Sequence, residues 1–344
     1  MSENHEITTR HPLLKEDGSL QEPGYSRRLL QPYERSKIKA SALRIKEWDY
    51  YLVLNPRIAA AFTISDNGYF GLQSVSFLSF EGEPYEHTNS VINLMPMGHM
   101  ELPADSASGT TRFQNKQLKM EFRADKTSKT RRILCQYKNF HEGHTLSCDL
   151  TLSQPPSDTM VIATPWREKK TAFYYNQKIN CMRAEGDLAV DGKLYHFSPE
   201  DSFATLDWGR GVWTYDNRWF WSSGNGVIDG KLFGFNLGYG FGDTSAASEN
   251  MLFYDGVGHK LADVTFHIPK ESYMKPWKIT SSDDRFEADF TPVLDRAAKM
   301  AIGPISSDQH QVFGKMNGKA VLDDGKELEI KDLMCFAEDV HNKY

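Results

Sequence analysis

The residues with the clearest capacity for chemistry lie in one tryptophan-rich segment, at positions 207–221. This segment holds four of the chain's seven tryptophans, namely Trp208, Trp213, Trp219 and Trp221. An indole buries a large apolar area and needs a partner for its N–H, so tryptophans collect in cores, in pocket walls and on sugar-binding surfaces. Asp207 and Arg210 flank Trp208 and Gly209, and their spacing predicts an ion pair across a tight turn. Such a pair is either a structural contact or part of a cavity in which Asp207 acts as acid or base and Arg210 binds a ligand oxygen.

A second group of candidates surrounds a strand predicted at 233–242. One face of this strand is apolar and consists of Phe233, Phe235, Leu237, Tyr239 and Phe241. The opposite face is made of glycines interrupted by Asn236, and glycines on a strand indicate a sharp bend or a close approach by another backbone or a ligand. We interpret this face as a barrel corner, with a pocket floor as the alternative.

Two polar residues, Glu249 and Asn250, follow this strand and either project into the space that it borders or lie at the surface. A carboxyl group in an apolar barrel has a raised pKa and can act as a general acid, so Glu249 joins Asp207 as a catalytic candidate. Glu338 could project into the same space, but we expect it at the surface. The predicted ligand-binding residues are Trp208, Arg210, Trp213, Trp219, Trp221, Tyr239 and Asn250.

No metal or cofactor site is predicted. The segment His141-Glu142-Gly143-His144 has metal-ligating residues, but the alternation on both sides predicts a hairpin tip, and the sequence offers no spaced third ligand. No phosphate-binding loop, dinucleotide-binding glycine motif or nucleophile elbow is present. Cysteines are few and scattered, so we expect reduced thiols, with Cys135 and Cys148 as diagonal neighbours in this hairpin.

The elements that must position these residues are strands. Apolar residues alternate with polar ones in several segments, as at Leu118, Met120 and Phe122, which predicts strands with one buried face. Pairs of Asn or Asp with Gly favour tight hairpin turns. Seven such pairs lie next to strand-like segments: Asn67-Gly68, Asp191-Gly192, Asn225-Gly226, Asp229-Gly230, Asp255-Gly256, Asn317-Gly318 and Asp324-Gly325. Helix is predicted only from Tyr33 to about Arg44 and as a single turn at Ser198. Sheets without covering helices pack on each other or close into barrels, so we predict an all-β chain of antiparallel barrels or sandwiches in tandem.

Length and charge limit the remaining possibilities. A chain of 344 residues suggests two domains, and we predict an N-terminal extension at 1–40, a first barrel-like domain at 41–197 and a second at 198–344. One large all-β domain is the alternative. A net charge of −6 argues against a nucleic-acid partner. Residues 1–15 lack the apolar run of a secretory leader, and the apolar stretch Ile58–Ile64 is too short to span a bilayer, so we expect a soluble cytoplasmic protein. The sequence leaves its oligomeric state open.

Several motifs in combination resemble one known family. They are Tyr25-Ser26-Arg27, residues 44–51, Asp207-Trp208-Gly209-Arg210-Gly211, Trp219 with Trp221, residues 236–242, Glu249-Asn250, residues 253–256, Phe313-Gly314 and Phe336-Ala337-Glu338. Over nearly the whole chain this pattern resembles the bacterial family called domain of unknown function 2804. More distantly, it is similar to tandem lipocalin-like (calycin) proteins such as carotenoid hydratases and tocopherol cyclases. That similarity implies two β-barrel-like domains and apolar, polyene or lipid ligands. The lipocalin-like signature is closer to Asp-His-x-Trp-Gly, and the absence of its histidine here puts hydratase chemistry in doubt.

Three functional hypotheses follow, and whether the chain is an enzyme stays open. The first is a carrier that binds a hydrophobic small molecule, a lipid or isoprenoid, in a barrel cavity. The second is a hydratase or cyclase that protonates a carbon–carbon double bond, with Asp207 or Glu249 as the acid and tryptophan faces stabilising the carbocation. The third is a carbohydrate-binding or glycoside-active protein, which is disfavoured because the chain is expected inside the cell and no carboxylate pair stands out.

Overall fold

The computed structural model describes residues 4–303 and 305–344 and is almost entirely β-structure. The described residues form no α-helix, and two short 3₁₀ helices, Arg35–Lys37 and Ala42–Arg44, occupy part of the predicted helix. That helix prediction is wrong because Glu34 and Ile38 have extended backbone conformations, which limit the first helix to one 3₁₀ turn, and Tyr33 and Ile38 are buried in the first sheet's core. The predicted turn at Ser198 is present, since the Ser198 carbonyl accepts the N–H groups of Asp201 and Ser202. No helix among the described residues is long and apolar enough to cross a membrane.

The first sheet has thirteen antiparallel strands and curls into a half-barrel. They are β1 (Gly24–Ser26), β2 (Ile45–Leu54), β3 (Ile58–Asp66), β4 (Phe70–Ser79), β5 (Tyr85–Leu94), β6 (Gly109–Gln114), β7 (Leu118–Asp125), β8 (Thr130–His141), β9 (His144–Ser153), β10 (Met160–Trp166), β11 (Lys169–Val190), β12 (Lys193–Phe197) and β13 (Phe203–Val212). The main path runs β5-β4-β3-β2-β13-β11-β9-β8-β7-β6, with β10 and β12 attached to β11, and β1 attached to β10.

The second sheet has nine antiparallel strands in the order β17-β16-β15-β14-β22-β21-β20-β19-β18. They are β14 (Asp216–Ile228), β15 (Lys231–Tyr239), β16 (Met251–Tyr254), β17 (Val257–Lys260), β18 (Val264–His267), β19 (Trp277–Ser281), β20 (Phe286–Ile302), β21 (Ile305–Val321) and β22 (Glu327–Lys343). The change of sheet falls between Val212 and Asp216, because β13 still pairs with β2 and β11. The domain boundaries given above stay a prediction.

Alternation and turn chemistry explain most of these strands. Leu118, Met120 and Phe122 are buried, while the residues between them are exposed or half-buried. Asp191-Gly192, Asp229-Gly230 and Asp255-Gly256 each have two positive φ angles and connect neighbouring strands, as tight hairpin turns require. Two of the seven predicted turns are wrong, because Asn225-Gly226 lies within β14 and Asn317-Gly318 lies within β21 at an irregularity of its pairing with β22.

The glycine face of β15 is where the two sheets meet. A Cβ on Gly234 would lie 2.7 Å from Cys181 Sγ of β11, and Asn180 Nδ2 of the same strand donates to the Phe235 carbonyl at 3.1 Å. The opposite face, with Phe233, Phe235 and Leu237, is buried in the second sheet's own core. Gly234 is therefore explained by the close approach of β11, whereas a Cβ on Gly238 would lie 2.5 Å from Glu249 Oε1.

Candidate functional site

A cavity of about 200 Å³ lies between the two sheets and receives side chains from both. Its lining residues are Lys46, Trp48, Tyr50, Thr63, Ser65, Asn67, Leu72, Tyr174, Lys178, Asp207, Trp213, Trp219, Trp221, Phe241, Arg296, Gln309, Gln311, Glu338, Asn342 and Tyr344. The cavity thus combines aromatic surfaces with two carboxyl groups and three basic side chains. Small-molecule sites in proteins commonly combine apolar and aromatic walls with a few polar groups in this way.

The aromatic part of the cavity is built around Trp213. Its ring makes edge-to-face contacts with Trp219, Tyr174 and Trp48 at centroid distances of 5.4, 5.5 and 5.7 Å. Trp48 fits there because Gly209 on the neighbouring strand has no side chain, and a Cβ at that position would lie 2.0 Å from the indole. The buried Trp213 Nε1 has no hydrogen-bond partner among the described residues.

Phe241 reaches the cavity because the chain turns at Gly240. The backbone there has a φ of +98°, which favours glycine, and it ends the alternation of β15. Instead of continuing the row of Phe233, Phe235 and Leu237, Phe241 stacks on Tyr174 at a centroid distance of 4.9 Å. The aromatic wall therefore combines residues of both sheets.

Asp207 faces the cavity and is paired with Lys178. The Lys178 Nζ and Asp207 Oδ1 lie 2.9 Å apart, and Asn176 Nδ2 donates to the same oxygen at 2.6 Å. The ammonium also lies 3.9 Å from the centroid of the Trp221 ring, which stabilises a cation by cation–π attraction. No described residue donates a hydrogen bond to Asp207 Oδ2, so this oxygen can accept one from water or a ligand.

The predicted Asp207–Arg210 ion pair is wrong. Side chains three residues apart on a strand lie on opposite faces, so Arg210 points away from Asp207. Arg210 is fully buried and donates to Asp49 Oδ1 at 3.0 Å and to the Pro103 carbonyl at 2.8 Å. Its guanidinium lies 4.3 Å from the Trp208 ring centroid. Arg210 and Trp208 are therefore core residues of the first sheet on the face away from the cavity.

Glu338 lies in the cavity, which corrects its predicted surface position. Its side chain follows Phe336 on the same face of β22, and that phenyl ring packs against Trp221 at 4.7 Å. Trp219 Nε1 donates to Glu338 Oε1 at 3.0 Å, and Gln311 Nε2 donates to Oε2 at 2.9 Å. Burial outweighs these hydrogen bonds and raises the pKa of Glu338 to about 7. Both the protonated and the ionised form are therefore available near neutral pH.

The other predicted site residues lie behind the cavity wall. Glu249 is fully buried and accepts a hydrogen bond from Tyr174 OH at 3.3 Å, so Tyr174 separates it from the cavity. Burial raises its pKa. Asn250 accepts from the Gly238 N–H and donates to the Ala262 carbonyl, which makes it a backbone support. Tyr239 stacks on Phe220 at 4.7 Å within the second sheet. The structure brings Asp207, Trp213, Trp219 and Trp221 together and places the remaining candidates elsewhere.

The histidine-containing hairpin tip is confirmed, and the fold brings to it potential ligands that the sequence spacing does not show. His141 on β8 lies beside His87 on β5 and Asp191 in the β11–β12 turn, with potential ligand atoms within 4.8 Å of one another. The two imidazole rings stack at 3.5 Å with 17° between their planes. Because the lone pairs of stacked rings run side by side, they do not converge on one ion in this arrangement.

The four cysteines are free thiols. Cys135 and Cys148 lie directly opposite each other on β8 and β9 rather than diagonally.

Sequence reasoning missed Glu338, Lys178, Lys46 and the aromatic residues Trp48 and Tyr174. For Glu338 a signal was available, because residues 336 and 338 share one strand face and the first of them is a phenylalanine. Lys178 has no comparable signal. It lies just before an irregularity of β11 pairing at Ile179/Met182, and its carboxylate partner is on another strand. Lys178 and Asp207 come together only because β11 and β13 are neighbours in the sheet.

Comparison with known proteins supports the fold. A family model described as "Domain of unknown function (DUF2804)" matches residues 4–344. No curated protein matches the chain by sequence. Among solved structures, CghA has a TM-score of 0.55 at 10% identity and covers 97% of this chain and 98% of its own. Kievitone hydratase from Nectria haematococca has a TM-score of 0.53 at 11% identity and covers 87% of this chain and 88% of its own. An AttH-like protein from Nitrosomonas europaea has a TM-score of 0.52 at 12% identity and covers 86% of this chain and 92% of its own. These are lipocalin-like tandem barrel proteins, and at such identities the likeness is one of fold.

Proposed function

The chain belongs to the DUF2804 family, and from its lipocalin-like tandem fold and inter-sheet cavity we propose that it catalyses acid-dependent addition to a carbon–carbon double bond of a largely apolar small molecule. The reaction is hydration when water is the nucleophile and cyclisation when a hydroxyl of the same substrate is. The family name implies no activity, so the proposal depends on the cavity itself.

The observation that carries this proposal is the position of Glu338. Its carboxyl group lies among aromatic rings, between Trp219 and Gln311, in a cavity formed by both sheets. A general acid works best when its pKa lies close to the working pH, and burial raises the pKa of Glu338 to about 7. A carrier of apolar molecules has no need of a buried, protonatable carboxyl group at this place.

The proposed addition needs no cofactor, because the proton, the double bond and the nucleophile account for every bond that forms or breaks. The Glu338 proton adds to one carbon of the double bond, and the neighbouring carbon becomes a carbocation. The faces of Trp213 and Trp219 stabilise that positive charge. A water molecule or substrate hydroxyl then forms the new C–O bond, and its proton leaves to a carboxylate. The cycle closes when that carboxylate returns its proton, through water, to Glu338, and the net change is addition of hydrogen to one carbon of the double bond and of the nucleophile's oxygen to the other.

In this proposal, Asp207 receives the proton of the nucleophile. Lys178 and Asn176 hold its Oδ1 from the protein side, and Oδ2 is free of hydrogen bonds from described residues. Glu249, the other acid predicted from the sequence, lies behind Tyr174 and serves this mechanism only through that hydroxyl.

Two further observations support the proposal. The name of one protein of similar fold, kievitone hydratase, describes addition of water to a small molecule. The cavity also binds an apolar ligand in this account, as the carrier hypothesis requires, so the two hypotheses differ in whether the ligand is converted. Binding of a lipid or isoprenoid without conversion is the carrier outcome.

Conversion is tested by incubating the protein with prenylated phenols and linear isoprenoids and measuring products by mass spectrometry. We expect a product of substrate mass plus one water, or an isomer of the substrate. Glu338→Gln removes the acid and keeps the shape of the side chain, so it should bind the substrate and lose conversion. Glu329→Gln changes an exposed residue of the same strand and is the matched control, which should keep both substrate binding and conversion. Equal conversion by Glu338→Gln would exclude Glu338 as the acid.

A further inference from the structure

Lys46 is a buried basic residue in the cavity that the proposed reaction does not use. It lies on β2 with 3% of its surface exposed, and its side chain lines the cavity. The Nζ atom lies 3.6 Å from the centroid of the Tyr344 ring and has no hydrogen-bond partner among the described residues. A buried ammonium group is normally paired or hydrogen-bonded, so this one calls for a ligand.

The charges around it leave room for an anion. Lys178 is already paired with Asp207, and Glu338 is hydrogen-bonded to neutral donors. Arg296, half-buried on β20, also lines the cavity, where it donates to Ser76 Oγ at 2.8 Å and forms no ion pair with a described residue. Two basic side chains thus line the cavity, and neither forms an ion pair with a described residue. A ligand with one negative group would supply the missing countercharge.

Burial disfavours the charged form of the Lys46 amine. Loss of hydration lowers the pKa of its amine well below the ordinary value, and the nearby Arg44 lowers it further. An anion beside the amine has the opposite effect, because it favours the charged form. The site is therefore better suited to a group that brings negative charge than to a neutral hydroxyl.

Resting on the proposed function of this cavity, we propose that the substrate carries a carboxylate that binds Lys46, with Arg296 as the second cation facing the same space. The aromatic wall then takes the apolar body of the molecule. Fixing the carboxylate at Lys46 orients the substrate relative to Glu338, so Lys46 is a specificity-determining residue. The substrate class is an unsaturated, apolar carboxylic acid.

A matched pair of probes tests this inference. Geranic acid and geraniol share one unsaturated chain and differ in a carboxylate against a hydroxyl, and the acid is ionised at neutral pH. Quenching of tryptophan fluorescence measures their dissociation constants, because Trp213, Trp219 and Trp221 line the cavity. The variant Lys46→Met keeps the length of the side chain and removes the amine. Lys138→Met, at an exposed position on β8, is the control.

We expect the wild-type protein and Lys138→Met to bind geranic acid at least about tenfold more tightly than geraniol, which corresponds to about 1.4 kcal/mol. Lys46→Met should bind geraniol as before and lose the preference, which also shows that the variant is folded. Equal affinities in the wild type, or a preference retained by Lys46→Met, would overturn the carboxylate site and leave the proposed function standing. Failure of both probes to bind the wild type would overturn the carboxylate site and the hydrophobic ligand site together.

Discussion

Trp219 Nε1 donates a hydrogen bond to Glu338 Oε1 at 3.0 Å, across the pair of strands β14 and β22. An indole N–H can only donate, so it keeps Oε1 as an acceptor in every protonation state. The acidic proton is then left to Oε2, whose partner Gln311 has an amide that can present either its N–H or its oxygen. This contact fixes the orientation of the proposed acid.

Glu338→Gln should change how stability depends on pH. The folded protein holds the Glu338 proton up to about pH 7, whereas the ordinary value of 4.5 applies after unfolding. The folded state therefore binds more protons between these values, and stability falls as pH rises through this window. The stability of the wild type relative to Glu338→Gln should fall by about 3 kcal/mol between pH 4.5 and pH 7. Urea unfolding at a series of pH values measures this difference in stability. If the stability of the two proteins changed with pH in parallel, the Glu338 carboxyl group would be in contact with water rather than buried.

Trp219→Phe should raise the pKa of Glu338 further. The indole donates to the carboxylate and so favours the ionised form, and phenylalanine keeps the aromatic surface without the N–H. In the enzyme account, the loss of activity at high pH then moves to higher pH. The pH dependence of kcat/KM measures this shift, and an unchanged midpoint would show that the contact does not control the acid.

Breaking the Lys178–Asp207 pair should be costly. Lys178 is 1% exposed and Asp207 8%, so removing one partner leaves a buried charge at a cost of about 3–5 kcal/mol. The double variant Lys178→Met, Asp207→Leu should lose much less stability, because no unpaired charge is left buried. The exposed pair Lys231–Asp255 has the same 2.9 Å separation and is the control, with a coupling energy below about 1 kcal/mol. Denaturant unfolding of both double-mutant cycles gives the coupling energies, and similar values for the two pairs would contradict the buried position.

Gly240→Ala should disturb the aromatic wall. Its φ of +98° strains any other residue, and a Cβ would lie 2.3 Å from the Arg218 carbonyl oxygen. Gly325→Ala is a matched control, since its φ is +85° and a Cβ there meets open space. Backbone strain should lower the free energy of unfolding of the control by about 1 kcal/mol. Gly240→Ala should lower it by about 3 kcal/mol or more. Equal losses in chemical denaturation would mean that the chain can move away at Gly240.

The sequence predicted the fold well because strand periodicity and turn residues are local signals. Leu118, Met120 and Phe122 alternate in sequence and lie buried as expected. The site was predicted only in part, because its contacts join distant strands. Asp207 was assigned to Arg210 by proximity along the chain, whereas strand alternation separates them and the order β13-β11 supplies Lys178. Glu338 shares a strand face with Phe336, but it was placed at the surface because that alternation does not show that β22 packs beside β14.

The most direct test of the proposed mechanism is the fate of the proton. The reaction with an unsaturated carboxylic acid is run in heavy water, and the product is examined by mass spectrometry and NMR. Proton transfer from Glu338 to carbon predicts one deuterium bound to carbon in each product molecule, with product formation abolished in Glu338→Gln and retained in Glu329→Gln. A product without deuterium on carbon, or deuterium incorporation at an undiminished rate in Glu338→Gln, would contradict the account.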